Sequence, residues 1–578
     1  MWNEKGNKVY LNECKVYGGT IMLNYGVKMK KLLLVGAIIV SVLSTESMMN
    51  YHAAKAKVKK VEHQPKNIIM MVMDGTSSTA TTLARWYKGA PLTLDQIVTG
   101  GVRTFSAESA ITDSAPAATA LATGNKSNSG YVGVLPSIVN SPNLKPIKEE
   151  DKLRPVANVL EGAKRTGRAT GIVATSEIQH ATPAGFSAHH VNRKQFDVIA
   201  KQQVYQNIDV VLGGGKAALL PMKSNGIRKD GENLVKVIQD KGYDFVETKD
   251  ALLNSKSNKI WGSFSNHALA FDIDRIATNP EQPTLSQMTE KAIQTLSKDK
   301  DGFFLFVEGS KPDWAAHAND PIGMISDVLA FDKAVAKALQ FAKKDGDTML
   351  IALTDHGNSG ISIGNRNTTK GYNTTPVSAY IDPLKKAEMT LEGTINKLKS
   401  DLSNVEDVAK LYGLDNLTHD EKEKLKAAKK KMDVGRILTI LLANRANIGF
   451  TTGGHTGEDV FLYSYGPQKP EGLIQNTDIA KTMAKAMGFN LEEVTNKIFL
   501  ESEQAFKKIG ATVTADKTEG VNPLLVVKHN KVEAQLFGNK NIIRINGKGY
   551  ELRSIIVESN GKCYVPEEAI QLFVKHSR

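Results

Sequence analysis

Short apolar runs that stop at polar residues set the rhythm of the first two thirds of this 578-residue chain. Ile68–Met73 is unbroken and stops at Asp74-Gly75. Ala169–Thr175 leads through polar residues to His180-Ala-Thr182. Phe303–Val307 stops at Glu308-Gly-Ser310, and Met349–Leu353 stops at Thr354-Asp355-His356. Runs of this kind predict strands buried on both faces. Ile208–Leu212 and Asp459–Tyr465 extend the set, and between the runs Leu285–Leu296 and Ile325–Phe341 carry helical spacing. Alternating strands and helices predict an α/β fold with a mostly parallel central sheet. Such sheets place their sites at the carboxyl ends of strands. Gly213-Gly-Gly-Lys216 follows one run, but its spacing and Ala217 after the lysine do not fit a phosphate-cradling loop. It is expected to be a glycine turn.

The pattern changes at three places. Residues 384–436 are charged and helical, with Thr418-His-Asp-Glu421 fitting a capping box, and read as an insertion with a solvated face. After about residue 520 come short β-like segments: Leu524–Lys528, Ile542–Ile545, Ser554–Val557 and Cys563–Val565. Asn-Gly pairs at 546–547 and 560–561 mark hairpin turns. Residues 521–578 are therefore expected to form a separate small β-rich module. At the other end, Met29-Lys-Lys31, the apolar run Leu32–Leu43 and Ala54-Lys-Ala56 fit a secretory signal peptide cleaved near Ala56. The run is shorter than the ~20 residues of a membrane-spanning helix. The expected division is 1–56 extension and signal peptide, 57–66 flexible linker, 67–520 main α/β domain and 521–578 accessory module. The product would be secreted or associated with the cell surface.

The net charge of +13 does not change this picture. Residues 1–60 carry +7 and residues 521–578 carry +4, which leaves +2 for everything between. The main body is near neutral, so no nucleic-acid-binding module is implied. Cysteines stand only at 14 and 563, so no disulfide framework is available to a processed chain.

The chemistry centres on Ile111-Thr-Asp-Ser-Ala-Pro-Ala-Ala-Thr-Ala-Leu-Ala-Thr-Gly124. Early Pro116 and terminal Gly124 bracket a helix that starts at Ser114. Free N–H groups and the dipole there suit an anion. Taken alone, Asp113 and Ser114 read as ordinary caps. The strand ends supply what a serine nucleophile needs, a base or a metal. Asp74, His180, Thr182, Glu308, Asp355 and His356 lie at such ends. Asp313 and His317 are one helical turn apart, and Arg193 and His455 complete the set. Mixed histidine and carboxylate ligands suit zinc, and oxygen-only sets suit magnesium.

Thr112–Ala120, Glu308-Gly-Ser310 with Asp313 and His317, Thr354-Asp-His356 and Gly454-His-Thr-Gly457 together resemble, in order, the signature blocks of the alkaline phosphatases. The resemblance runs from about Asn67 to about Pro467. It implies a three-layer α/β/α sandwich, a homodimer and hydrolysis of small phosphate monoesters, with broad specificity and an alkaline optimum. It implies two Zn2+ and one Mg2+. Ser114 would become phosphoserine, and Arg193 would grip the phosphate. Asp313, His317 and His455 would hold the first zinc, and Asp74, Asp355 and His356 the second. Asp74, Thr182 and Glu308 would form the third site.

Two positions depart from the family pattern. His180 stands where many members have aspartate, which puts magnesium in doubt and favours Zn2+ or Co2+ as the third ion. Trp314, beside the phosphate position, stands where many have lysine or histidine. The C-terminal module weakly resembles the copper amine oxidase N-terminal-like domain through Asn560–Pro566, without copper ligands, and suggests attachment to the cell wall or surface. A phosphodiesterase of the same superfamily and a non-catalytic metal- or phosphate-binding surface protein are the alternatives. A sulfatase is disfavoured because Ala118 stands where that motif needs arginine.

Overall fold

The apolar runs form the middle of one sheet. The computed structural model describes residues 63–516 and 524–578. Its strands are β1 (Asn67–Met73), β2 (Val98–Arg103), β3 (Ala169–Glu177), β4 (Val210–Gly214), β5 (Asp244–Val246), β6 (Ile260–Ser263), β7 (Phe303–Gly309), β8 (Thr348–Leu353), β9 (Val460–Tyr465) and β10 (Gly472–Gln475). They lie in the order β10-β2-β9-β8-β1-β7-β3-β4-β6-β5. Only β9 is antiparallel to its neighbours. Val72 of β1 lies opposite Glu308 of β7 on one side and Leu353 of β8 on the other. This register brings the carboxyl ends of β8, β1, β7 and β3 side by side.

Period-2 alternation inside these unbroken runs builds two cores. Ile68, Met70 and Val72 join one with Leu121 and Ala122 of helix α1 (Ser114–Thr123). Ile69, Met71 and Met73 join the other with Leu285, Met288, Phe331 and Val335. The result is a three-layer α/β/α sandwich. Helix α2 (Lys311–His317) leads into α3 (Pro321–Asp345), which carries Phe331.

The insertion is helical and ends in α4 (Lys431–Arg445), beyond the expected limit of 436. The capping box of Thr418 and Glu421 forms. A third core joins the insertion to α2 and α3 through Val408, Tyr412, Leu438, Ala316 and Ile322.

The C-terminal strands form a five-stranded antiparallel sheet followed by a hairpin. Both Asn-Gly pairs turn a hairpin with positive φ at each residue. Two expectations need correcting. The sheet begins at Thr512–Asp516, ahead of residue 521. The module is also docked rather than separate, because Ile555, Val557 and Tyr564 are buried in the first core. Gln202 donates to Asn539, and Lys540 pairs with Glu232. Ser554–Val557 forms a strand only from Val557, and Cys563 is half-buried. Of the expected linker, residues 63–66 are held: Lys66 N–H donates to the Asp347 carbonyl, and His63 meets the Asp347 carboxylate. The signal peptide lies outside the described residues.

Candidate active site

Ser114 is the first residue of α1, as its sequence context predicts. Asp113 occupies the N-cap position but makes no capping bond. Its carboxylate instead accepts from Arg193 Nη1 at 2.6 Å, and Arg193 Nη2 meets His180 Nε2 at 3.3 Å. Burial alone would raise the Asp113 carboxyl, but the guanidinium more than offsets this and holds it below the usual range. Ser114 Oγ lies 3.2 Å from His356 Nε2.

Around this serine the strand ends bring together three groups of donors. Asp313, His317 and His455 form the first, Asp74, Asp355 and His356 the second, and Asp74, His180 and Glu308 the third, with the donor atoms of each group within 4.8 Å of one another. Asp74 is shared by two of them, and Thr182 Oγ1 donates to Asp74 Oδ2 at 3.2 Å. The His356 and His455 rings stack with centroids 3.7 Å apart, joining the first group to the second. Gly75 makes the tight turn after β1 at φ +62°, where a Cβ would meet the Asp313 backbone at 2.7 Å.

The histidines are oriented as ligands. Nδ1 of His317 bonds the Gly453 carbonyl at 2.8 Å, and Nδ1 of His455 bonds the Thr112 carbonyl at 2.8 Å. Nδ1 of His356 bonds the Gly357 carbonyl at 3.1 Å. Carbonyls accept only, so each Nδ1 carries the proton and each Nε2 presents a lone pair. His317 Nε2 and His455 Nε2 then face each other at 3.1 Å. Two lone pairs at that distance call for a cation between them.

The carboxylates say the same. Asp74 Oδ1, Asp355 Oδ2 and Glu308 Oε1 are buried with no hydrogen-bond partner. Burial, then the charges of Asp355, Asp313 and Glu308, push Asp74 well above its ordinary value. Glu308 is pushed up to about 7 by burial, with Asp355 adding. Burial and then Arg193 push His180 down to about 3, so it is a neutral imidazole. Such a set is costly alone and is relieved by bound metal. The donors fit the group: the first two sets are the nitrogen and oxygen mixtures of zinc, and the third contains an imidazole that magnesium does not favour.

Sequence reasoning missed three residues. Asn358 Nδ2 donates to Asp313 Oδ1 at 2.7 Å and fixes that carboxylate. Ser176 Oγ donates to Glu308 Oε2 at 3.3 Å. Lys311, buried and with its ammonium pushed down by that burial, stands 4.2 Å over the Trp314 ring. A cation therefore stands beside Trp314.

The alkaline phosphatase family model matches residues 65–489, and the chain belongs to that family. Alkaline phosphatase 3 of Bacillus subtilis (strain 168) is 36% identical over 488 residues, which cover 80% of this chain and 98% of that one. The cold-active alkaline phosphatase of a psychrophilic Shewanella sp. superposes with a TM-score of 0.62 at 29% identity, covering 73% of this chain and 99% of that one. A histidine-to-aspartate mutant of the TAB5 alkaline phosphatase, with Mg bound in the M3 site, superposes with a TM-score of 0.53 at 26% identity, covering 74% and 99%. The chain is a metal-dependent enzyme that hydrolyses phosphate monoesters. The diesterase and the non-catalytic alternatives fall away.

Proposed function

We propose that hydrolysis proceeds through a phosphoserine at Ser114, with broad specificity for the alcohol, an alkaline optimum and a role in phosphate scavenging. The observation that carries this is the position of Ser114 Oγ, at a helix N-terminus and 3.2 Å from His356 Nε2. Asp313, His317 and His455 would hold one Zn2+, and Asp74, Asp355 and His356 a second. Bound there, the metals supply positive charge that lowers the Ser114 hydroxyl pKa and neutralises the departing oxygen. Ser114 Oγ attacks phosphorus as the P–O bond to the alcohol breaks, and the alcohol leaves on the opposite side. Water then cleaves the phosphoserine from that side and restores the hydroxyl. Arg193, held by Asp113, offers its planar fork to two phosphate oxygens, and the α1 N–H groups add fixed positive potential.

Asp74, Thr182 and Glu308 would form the third site, with His180 as a direct ligand. The family implies Mg2+, and the imidazole favours Zn2+ or Co2+. The TAB5 mutant that carries Mg in its M3 site has aspartate in place of a histidine, which supports this reading. Export, a homodimer and surface attachment through 521–578 complete the proposal; cell fractionation and light scattering test them.

The test is hydrolysis of 4-nitrophenyl phosphate at alkaline pH. Ser114→Ala should lose about a thousandfold or more. Chelation should abolish activity, and zinc with magnesium or cobalt should restore it. A Ser114→Ala enzyme of near wild-type rate would end the phosphoserine mechanism.

A further inference from the structure

A cavity of about 910 Å³ opens beside the first metal group, with His317 and Gly453 in its wall. Its far side is α4. Met432, Arg436 and Ile440, spaced i, i+4 and i+8, lie along that side. Met432 and Ile440 are 67% and 53% exposed, and Leu391, Ile395 and Phe450 add apolar wall. Arg366 stands elsewhere on the lining.

The charge is one-sided. Arg366, Lys431 and Arg436 line the cavity, and no carboxylate does. Lys431 Nζ is engaged with the Leu398 carbonyl at 2.6 Å. Arg366 and Arg436 are exposed, and among the described residues neither guanidinium has an ion-pair or hydrogen-bond partner. Unpaired guanidiniums on a wall of mainly apolar and amide residues suit an anion carried on an apolar body.

The position relative to Ser114 says what that body is. Ser114 Oγ is 3.2 Å from His356, the His356 ring stacks on His455, and His455 Nε2 is 3.1 Å from His317 Nε2. The row leads from the nucleophile to the cavity wall. In-line displacement sends the alcohol away from Ser114 Oγ, and with its oxygen neutralised at the first metal group, as proposed above, the alcohol would lie beside His317.

We propose that this cavity is a leaving-group subsite that, within a broad specificity, gives a preference to phosphate monoesters whose alcohol has an apolar body and a second negative charge. Arg366 and Arg436 are its specificity-determining residues. This deepens the monoesterase reading and rests on it.

The test compares 4-carboxyphenyl phosphate with phenyl phosphate on wild type and on Arg366→Ala/Arg436→Ala, with Arg436→Gln as a milder variant. The wild-type kcat/KM ratio should favour the carboxylated substrate. It should fall about fivefold in the double variant, the scale of two exposed charges, and also in wild type at high salt. Phenyl phosphate hydrolysis should stay within about twofold of wild type, because neither arginine belongs to the metal groups or to the Asp113–Arg193 pair beside Ser114. Calorimetric Kd values for 4-carboxybenzylphosphonate and benzylphosphonate should show the same loss of preference without turnover. Unchanged ratios in both measurements would overturn the subsite while leaving the monoesterase intact. A metal-loaded wild type inert on both phosphates would overturn the monoesterase reading and this inference together.

Discussion

The Trp314 indole meets the His180 imidazole edge-on, with ring centroids 5.6 Å apart and planes at 62°. His180 and Trp314 are therefore in contact, and each bears on the other. Trp314 confines the ring that would ligate the third ion, while Lys311 stacks on the indole.

Replacing Trp314 by lysine should put a cation closer to the phosphate. Inorganic phosphate should then inhibit more tightly, by roughly fivefold, as expected for one partly screened charge. Product release should slow. Trp314→Phe keeps the apolar wall and should leave phosphate inhibition near wild type. Inhibition constants for the three proteins check this, and equal values for the lysine and phenylalanine variants would show that the charge does not reach the phosphate.

His180→Asp should change which metal the third site retains. The substitution leaves only oxygen donors beside Asp74 and Glu308. That set is harder, so magnesium content after dialysis should rise and zinc or cobalt content fall. Elemental analysis reads this directly. Metal content unchanged by the substitution would remove His180 from the ligand set.

Asp113→Asn removes the charge that fixes Arg193 while keeping the side-chain size. A looser guanidinium holds substrate and product phosphate equally less well. KM and the phosphate inhibition constant should rise together, by about three- to tenfold. The kcat should not fall in proportion. A hundredfold loss of kcat with unchanged KM would place Asp113 in the chemical step instead.

Legibility in the sequence followed burial. The four central strands were readable because both faces of the sheet are covered, so Ile68–Met73 and Phe303–Val307 contain no polar interruption. Their polar ends then stood out as site residues. Asp113 misled because an aspartate before a helix is usually a cap, and nothing local says that Arg193, 80 positions away, takes its carboxylate. Lys311 was invisible for a related reason: its contact with Trp314 depends on the helix turn, and a lysine normally reads as exposed. The docking of the C-terminal module escaped because pairs such as Gln202–Asn539 and Lys540–Glu232 have no periodicity.

The buried pair His189–Glu161 gives the fold a pH dependence separate from the metals. His189 Nδ1 bonds the Gly133 carbonyl at 2.8 Å, and Nε2 bonds Glu161 Oε1 at 3.0 Å. Both partners are acceptors, so both ring nitrogens must carry protons. Burial alone would depress the His189 imidazolium, but the Glu161 charge and these bonds raise its pKa. Burial alone would raise Glu161, but His189 and the N–H of Asn158 hold it low. For the histidine, the stabilisation is complete below its unfolded pKa of about 6.5 and is lost as pH rises through the folded value. For the glutamate, it is present above about 4.5 and is lost as pH falls through its lowered folded value. The pair is therefore strongest between those limits and weakens into the alkaline range. His189→Gln should cost about 3 kcal/mol near pH 6, the scale of breaking a buried pair, and less near pH 10. Melting temperatures of metal-saturated wild type and variant should converge as pH rises from 6 to 10. A constant gap would mean that His189 stabilises by packing against Phe499, 4.7 Å between ring centroids, rather than by charge.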